Sequence, residues 1–388
     1  MAREEIKIRK FDKHKHTAGV EALERSCEVW PGKRSFLLTN TMGDPICRVR
    51  NSPQYKMLVA ELENEVVGVI RGTVKTAAMW VSSSSGNQSA KVGYILGLRV
   101  SPLHRRRGIG SSLVRRILEW FDASGVDYAY MATEKDNEAS LKLFIHKFGF
   151  AEFRMPAILV NPVSKHLVHI PSSVRINKLR AEKAENLYRK FMGGCTEFFP
   201  QDIDQVLKNK LSLGTWVAYP SNEAWFDKGL APTSWAVVSV WNTGEVFKLR
   251  VGRPSVGCVL FAKASRWADK MLPCLRIPAL PDFFREFGVF FLYGVHGEGP
   301  SSGFLLRALC HFVHNMATAS RSDCKVIATE LGECDQLRHH IPHWQLLSCP
   351  EDLWCIKSLM RDEKQNSLEE RTRFTPKSRA IFVDPREV

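Results

Sequence analysis

Apolar positions along this 388-residue chain fall into short runs. Their spacing alternates between the two-residue period of strands and the 3.6-residue period of helices. Ile6-Lys7-Ile8-Arg9 alternates as a short strand, and Thr17 to Val29 reads as a helix. Met57 to Leu62 and Val66 to Val74 are strand-like and flank Glu63-Asn64-Glu65, which predicts a hairpin turn. Ser82 to Gln88 is polar and low in complexity, so a loop is expected there. Gly93 to Leu98 is a strand. Leu113, Val114, Ile117, Leu118 and Phe121 then recur at helical spacing. Asp127 to Thr133 is the next strand, and Asn137 is the N-cap of a helix that runs past Phe144. The order β-α-β-β-β-α-β-α predicts a mixed α/β domain over residues 1–160.

The second half echoes this pattern. Trp235 to Trp241 and Glu245 to Val251 predict a hairpin around Asn242-Thr243-Gly244. Phe290 to Val295 is a strand, His296 to Gly303 a loop, and Phe304 to Met316 a helix with Leu305, Leu309, Phe312 and Met316 on one face. Ala328-Thr329-Glu330 then repeats Ala132-Thr133-Glu134 at the end of the following strand. A single core stops growing near about 250–300 residues, so the length calls for two domains. We place them at 1–160 and 175–358, with a linker at 161–174 and a flexible charged tail at 359–388. In that tail Phe374 and Ile381-Phe382-Val383 form a strip that could dock.

The most informative run is Val100-Ser101-Pro102-Leu103-His104-Arg105-Arg106-Arg107-Gly108-Ile109-Gly110-Ser111. It joins a strand to a helix N-terminus. The first N–H groups of that helix lack intrahelical partners, and its dipole favours an anion there. Gly108 and Gly110 let backbone approach a phosphate closely. No Gly-Lys-Ser/Thr ending is present, and the three-glycine dinucleotide pattern is absent.

Arg105-x-x-Gly108-x-Gly110, with its strand, its Val-x-Pro and its helix, resembles motif A of the GNAT acetyltransferases. Asn137 to Phe144, followed by Phe148-Gly149-Phe150, resembles motif B of the same family. Over both halves, including Trp30-Pro31-Gly32-Lys33, the chain is similar to the plant Hookless-type N-acetyltransferases. The resemblance implies a tandem GNAT fold with a degenerate second copy and acetyl-CoA as cosubstrate. Its pyrophosphate would lie on Arg105, Arg106, Arg107, Gly108, Ile109, Gly110 and Ser111, its pantetheine and thioester along the backbone of Leu98, Arg99 and Val100, and Asn137 and Phe144 beside it. Two departures stand out. The tyrosine that donates a proton to the thiolate in many members is Phe144 here, which has no proton to give. The gap from Phe144 to Gly149 is one residue longer than usual.

Attack by an amine needs a base to remove its proton. The strand Gly93 to Val100 carries no carboxylate. Glu134 is the best-placed base by position, followed by Glu28 and Glu61, while His104 lies on the phosphate side of the loop. The second-half loop has Glu298 where a cation would be wanted, and a carboxylate repels a pyrophosphate. Trp30 to Tyr55, broken by Pro31, Gly32, Gly43, Pro45 and Pro53, should cover the acceptor side. Its Lys33, Arg34, Arg48 and Arg50 would repel a cationic acceptor unless they face away.

Composition sets the remaining bounds. Ten cysteines without a Cys-x-x-Cys pair argue against a zinc site and suit a reducing compartment. No apolar run is long enough to span a bilayer, and the charged Met1-Ala2-Arg3-Glu4-Glu5 lacks a secretory core. These features suit a chain that is neither secreted nor membrane-spanning, and the resemblance implies nuclear or cytoplasmic residence. The net charge of +14 suits a polyanion, either the phosphates of CoA or chromatin. The resemblance implies acetyl transfer to a protein amine, a histone lysine first, with a role in transcription regulation. Acetylation of a small amine, a non-catalytic acyl-CoA-binding regulatory module, and direct nucleic-acid binding stay open beside it.

Overall fold

Strand pairing in the computed structural model produces two large sheets, one centred on each half of the chain. The structure describes residues 5–27, 36–80, 87–226, 231–252, 256–271, 281–319, 323–349, 351–360 and 380–388. The first sheet uses β1 (Lys7–Lys10), β3 (Gln54–Leu62), β4 (Glu65–Trp80), β5 (Asn87–Val100), β6 (Tyr128–Glu134) and β7 (Ala151–Arg154). A separate strand, β2 (Phe36–Asn40), lies outside it. The β3–β4 hairpin forms at the expected turn, where Glu63 and Asn64 both take positive φ, 49° and 69°, the geometry of a twist-matched hairpin turn. Helix α1 (Lys13–Ser26) is capped by Asp12. Helix α2 (Ile109–Ala123) buries Ile109, Leu113, Val114, Ile117 and Phe121, the stripe that the spacing predicts.

Helix α3 (Glu138–Leu141) runs into a π-helical turn over Lys142–Lys147, where Phe148 N–H donates to the Leu143 carbonyl five residues back. A π turn holds one more residue than an α turn. It absorbs the extra residue between Phe144 and Gly149.

The second sheet uses β8 (Ala157–Pro162), β9 (Val174–Leu179), β11 (Ser212–Pro220), β12 (Trp235–Asn242), β14 (Gly288–Glu298) and β15 (Cys324–Leu331). Helices α4 (Ala181–Phe191), α5 (Ile203–Lys208), α6 (Val256–Met271) and α7 (Ser302–Ala319) accompany it. The echo seen in sequence is physical. β14 runs parallel to β15 with α7 between them in the chain, as β5 runs parallel to β6 with α2 between them.

Three expectations are corrected. The hairpin around Asn242-Thr243-Gly244 does not form. A 3-10 turn at Thr243–Glu245 redirects the chain, and β13 (Lys248–Gly252) pairs with β2 instead. The sheets also do not divide at residues 160 and 175. β16 (Asp352–Ser358) lies between β6 and β7 in the first sheet, and β8 pairs with β15 in the second. Leu353, Trp354, Cys355 and Ile356 are apolar on both faces, so this strand needs an interior place, and the first sheet supplies it. The strand β10 (Phe199–Pro200) likewise crosses over to pair with β4.

The third correction concerns the tail. Residues 361–379, and with them Phe374, lie outside the described residues. Residues 380–388 are not a loose end: Phe382 is 1% exposed, and Asp384 is fully buried. Phe382 packs on Phe199 and Tyr293, so the apolar strip docks. Its charges are matched as well. Lys75 Nζ lies 2.8 Å from Glu387 and 3.2 Å from Asp384, and Arg386 bonds Asp202 at 2.6 Å and Asp384 at 2.7 Å.

Candidate active site

The loop between β5 and α2 has the shape that its glycine and basic residues require. Gly108 caps α2 with φ +83°, a left-handed conformation open to glycine at no steric cost. Arg106 also has positive φ, 66°. No acidic residue occupies the first turn of α2 and no side chain caps it, so its first N–H groups lack a capping partner beside the arginines of the loop. Arg105, Arg106 and Arg107 are exposed, with Arg107 Nη1 3.0 Å from His104 Nδ1. Ile109 anchors the helix in the core, and Ser111 is half-buried. At Gly110 a methyl group would meet Val100 and Leu143 only at ordinary contact distance, 3.7 and 3.8 Å. Gly108 is therefore the glycine that the backbone itself demands.

Upstream, β5 carries a bulge. Gly97 has φ +62°, and the register with β4 shifts between Val69 and Arg71. Pairing between β5 and β6 ends at Ile95 and Met131, so Leu98, Arg99 and Val100 leave β6 behind. Leu98 and Val100 pack toward the α2 core, whereas Arg99 turns to Glu24 at 3.5 Å. The sulfur of Cys27 lies 3.5 Å from the Val100 carbonyl.

The motif B residues serve the fold. Asn137 Oδ1 accepts from Ser140 N–H at 3.2 Å while its amide donates to Thr133 Oγ1 at 3.1 Å. Phe144 is 3% exposed and meets Phe150 edge-on at 5.3 Å.

The candidate bases fare differently. Glu61 is held by Arg9 at 2.8 Å, Lys15 at 2.5 Å and His16 at 3.0 Å. The Lys15 hydrogen bond keeps it below the usual carboxylate range, so it is an anchored anion on β3. Glu28 lies outside the described residues, as do Lys33 and Arg34. Glu134 is half-buried at the end of β6. Burial first, then the charges of Asp136 and Asp352, push it up to about 7. Asp352 itself is pushed to about 7 by burial, and Glu330 to about 8 by burial and the Asp352 charge, with the Trp354 indole donating to Glu330 at 2.8 Å. Carboxylates from both halves thus meet at the ends of β6, β15 and β16.

Sequence reasoning missed two groups behind the β5 bulge. Arg71, 2% exposed, donates to the Pro45 carbonyl at 2.9 Å and to Glu24 at 2.9 Å. This ties the chain at Pro45 to β4 and α1. Of the cations between Trp30 and Tyr55, Arg50 pairs with Asp44, and Arg48 lies over the Phe247 ring.

The second-half loop is filled by the chain itself. Gly299 repeats the left-handed geometry of Gly108 with φ +83°, but it sits against the Thr233 carbonyl. Ser301 N–H donates to Ser234 at 3.2 Å, and Glu298 meets His296 at 2.9 Å. The arrangement leaves no basic cradle there.

Comparisons with known proteins agree with this geometry. A family model described as "Acetyltransferase (GNAT) family" matches residues 20–150. The chain is 46% identical to an Arabidopsis thaliana protein described as "Probable N-acetyltransferase HLS1-like", over 98% of this chain and 99% of that one. It is 38% identical to "Acetyl transferase GW6a" of Oryza sativa subsp. japonica, over 98% and 97%. A solved structure of Saccharomyces cerevisiae N-myristoyltransferase with bound myristoyl-CoA shares the fold, with a TM-score of 0.56 at 10% identity. The match covers 92% of this chain and 80% of that one. With the β5–α2 loop, the β5 bulge and the doubled sheet, this full-length likeness places the chain in the GNAT acetyltransferase family, among the Hookless-type N-acetyltransferases.

Proposed function

We propose that this chain moves an acetyl group from acetyl-CoA to a protein amine, with a histone lysine as the first acceptor to test. The observation that carries the reading is the β5–α2 loop. A left-handed Gly108, uncapped helix N–H groups and three exposed arginines converge there, which suits a pyrophosphate. Acetyl-CoA would supply the acetyl group as a thioester along Leu98, Arg99 and Val100. The first half holds the cosubstrate, and the second half closes the acceptor side and contributes β16.

Glu134 is the base in this reading. A base works best with a proton affinity near working pH, and Glu134 at about 7 meets that condition. Asp352 and Glu330 beside it release their protons only near 7 and 8, so they would offer a cationic acceptor negative charge toward the alkaline side of neutrality. Phe144, packed in the core without a proton to donate, favours a second reading, a non-catalytic acyl-CoA-binding regulatory module. The experiment is transfer of radiolabelled acetyl to a histone-tail peptide mixture by the wild type and by Glu134→Gln. Label on the peptides, lost in Glu134→Gln with acetyl-CoA binding kept, supports the enzyme. Binding without label on any peptide or amine moves the reading to the regulatory module.

A further inference from the structure

The bulge at Gly97 has a twin in the second half. Gly294 of β14 has φ +61° against +62° at Gly97. The register with the neighbouring strand shifts at Val69/Arg71 in one half and at Val237/Ser239 in the other. What stands behind each bulge differs. The point a Cβ on Gly97 would occupy lies 2.6 Å from Arg71 Nη1, and Arg71 pairs with Glu24 of α1. The corresponding point on Gly294 lies 2.6 Å from the ring of Tyr188 on α4, whose hydroxyl bonds Ser239 of β12 at 2.7 Å. An ion pair in the first half takes the place of a neutral pair in the second.

This contrast separates packing from chemistry. Burying two charges costs desolvation, and a well-packed neutral pair often serves stability as well or better. The second half shows that the fold closes this space with Tyr188 and Ser239. Packing alone therefore does not require charge behind Gly97. The charge is also unbalanced: Glu24 faces Arg71 at 2.9 Å and Arg99 at 3.5 Å, with Arg48 also acting on it. Burial pushes Glu24 up, but the charges of Arg71 and Arg99 outweigh it and hold Glu24 below the usual carboxylate range, so it stays an anion among cations.

We propose that Arg71, braced by Glu24, is a positioning residue for acetyl transfer, fixing the Gly97 backbone and laying net positive charge beside the acyl seat. The inference rests on the reading of Leu98 to Val100 as that seat. In transfer the acceptor nitrogen's lone pair forms the new C–N bond. The C–S bond breaks with its electron pair on sulfur, and the amine proton leaves to Glu134. Negative charge builds on the thioester oxygen and then on sulfur. Phe144 cannot donate a proton, so fixed positive charge would stabilise that developing charge in addition to backbone N–H groups.

The test transplants the second half's solution into the first. Glu24→Tyr/Arg71→Ser should melt close to the wild type and bind acetyl-CoA with unchanged affinity. Its single-turnover transfer to the histone-tail peptide mixture should fall about 100-fold, with KM little changed. Arg71→Met and Arg71→Lys give a second comparison if that variant folds poorly: Lys should recover much of the rate that Met loses. Transfer within about two-fold of wild type in the double variant, or equal rates for Lys and Met, overturns the inference. Loss of acetyl-CoA affinity together with transfer would instead overturn the reading of the seat.

Discussion

Asp352 of β16 stands directly opposite Glu134 of β6 in the antiparallel pairing that joins the two halves of the chain. Directly opposed residues hold their Cβ atoms about 5 Å apart, where like charges repel. The strand exchange thus sets one carboxylate against another at the end of β6. Asp136, on the exposed turn beyond β6, adds to the effect.

If Glu134 is the base, transfer should rise with pH as its proton leaves near 7. Asp352→Asn removes one of the repelling charges, so the limb should move to lower pH, by about half a unit to one unit. Asp136→Asn should move it the same way. Rate-pH profiles of the wild type and both variants check this. An unmoved limb in both variants would remove Glu134 from the role.

Stability carries the same signature. Glu134, Asp352 and Glu330 hold their protons to about 7, 7 and 8 in the folded chain. The unfolded chain releases them near the ordinary carboxylate value of about 4.3. The folded state therefore binds more protons over that interval, and stability falls as pH rises through it. Asp352→Asn should be at least as stable as wild type, with its advantage growing up to about pH 8. Urea midpoints measured in steps from pH 5 to 9 would show this. An advantage that shrinks with pH contradicts the account.

The docked C-terminal segment should be costly to disturb. Arg386 holds Asp384 well below the usual carboxylate range against the burial that would raise it. Arg386→Ala leaves that carboxylate only Lys75 and the backbone N–H of residue 386 among the described residues, and takes the guanidinium from Asp202. A loss of about 3–5 kcal/mol in urea unfolding is expected. A loss below about 1 kcal/mol would mean that the segment does not clamp the two sheets.

Much of the first half was legible because its signals are local. The α2 stripe, the Glu63-Asn64 turn and the Gly108 cap each follow from a few adjacent residues. The echo at Ala132-Thr133-Glu134 and Ala328-Thr329-Glu330 was legible too, and those strands take matching places. Pairing across long separations was not. Nothing near Leu353 says that its strand belongs beside β6, and nothing near Phe382 says that Lys75 and Tyr130 wait for the next residues. Arg71 and Glu24 escaped notice for a related reason. They lie on different elements and gain meaning only once Gly97 turns its backbone toward them. The matched glycines at 97 and 294 were the available signal.

The central claim is that the β5–α2 loop holds acetyl-CoA. Calorimetric titration of acetyl-CoA into the wild type and into Arg105→Ala/Gly108→Asp tests it most directly. The double change removes one cation and forces a carboxylate-bearing side chain onto a backbone with φ +83° beside the α2 N-terminus. The account predicts saturable one-to-one binding by the wild type and its loss in a variant that still melts cooperatively. Equal binding by both proteins, or none by the wild type, would contradict it.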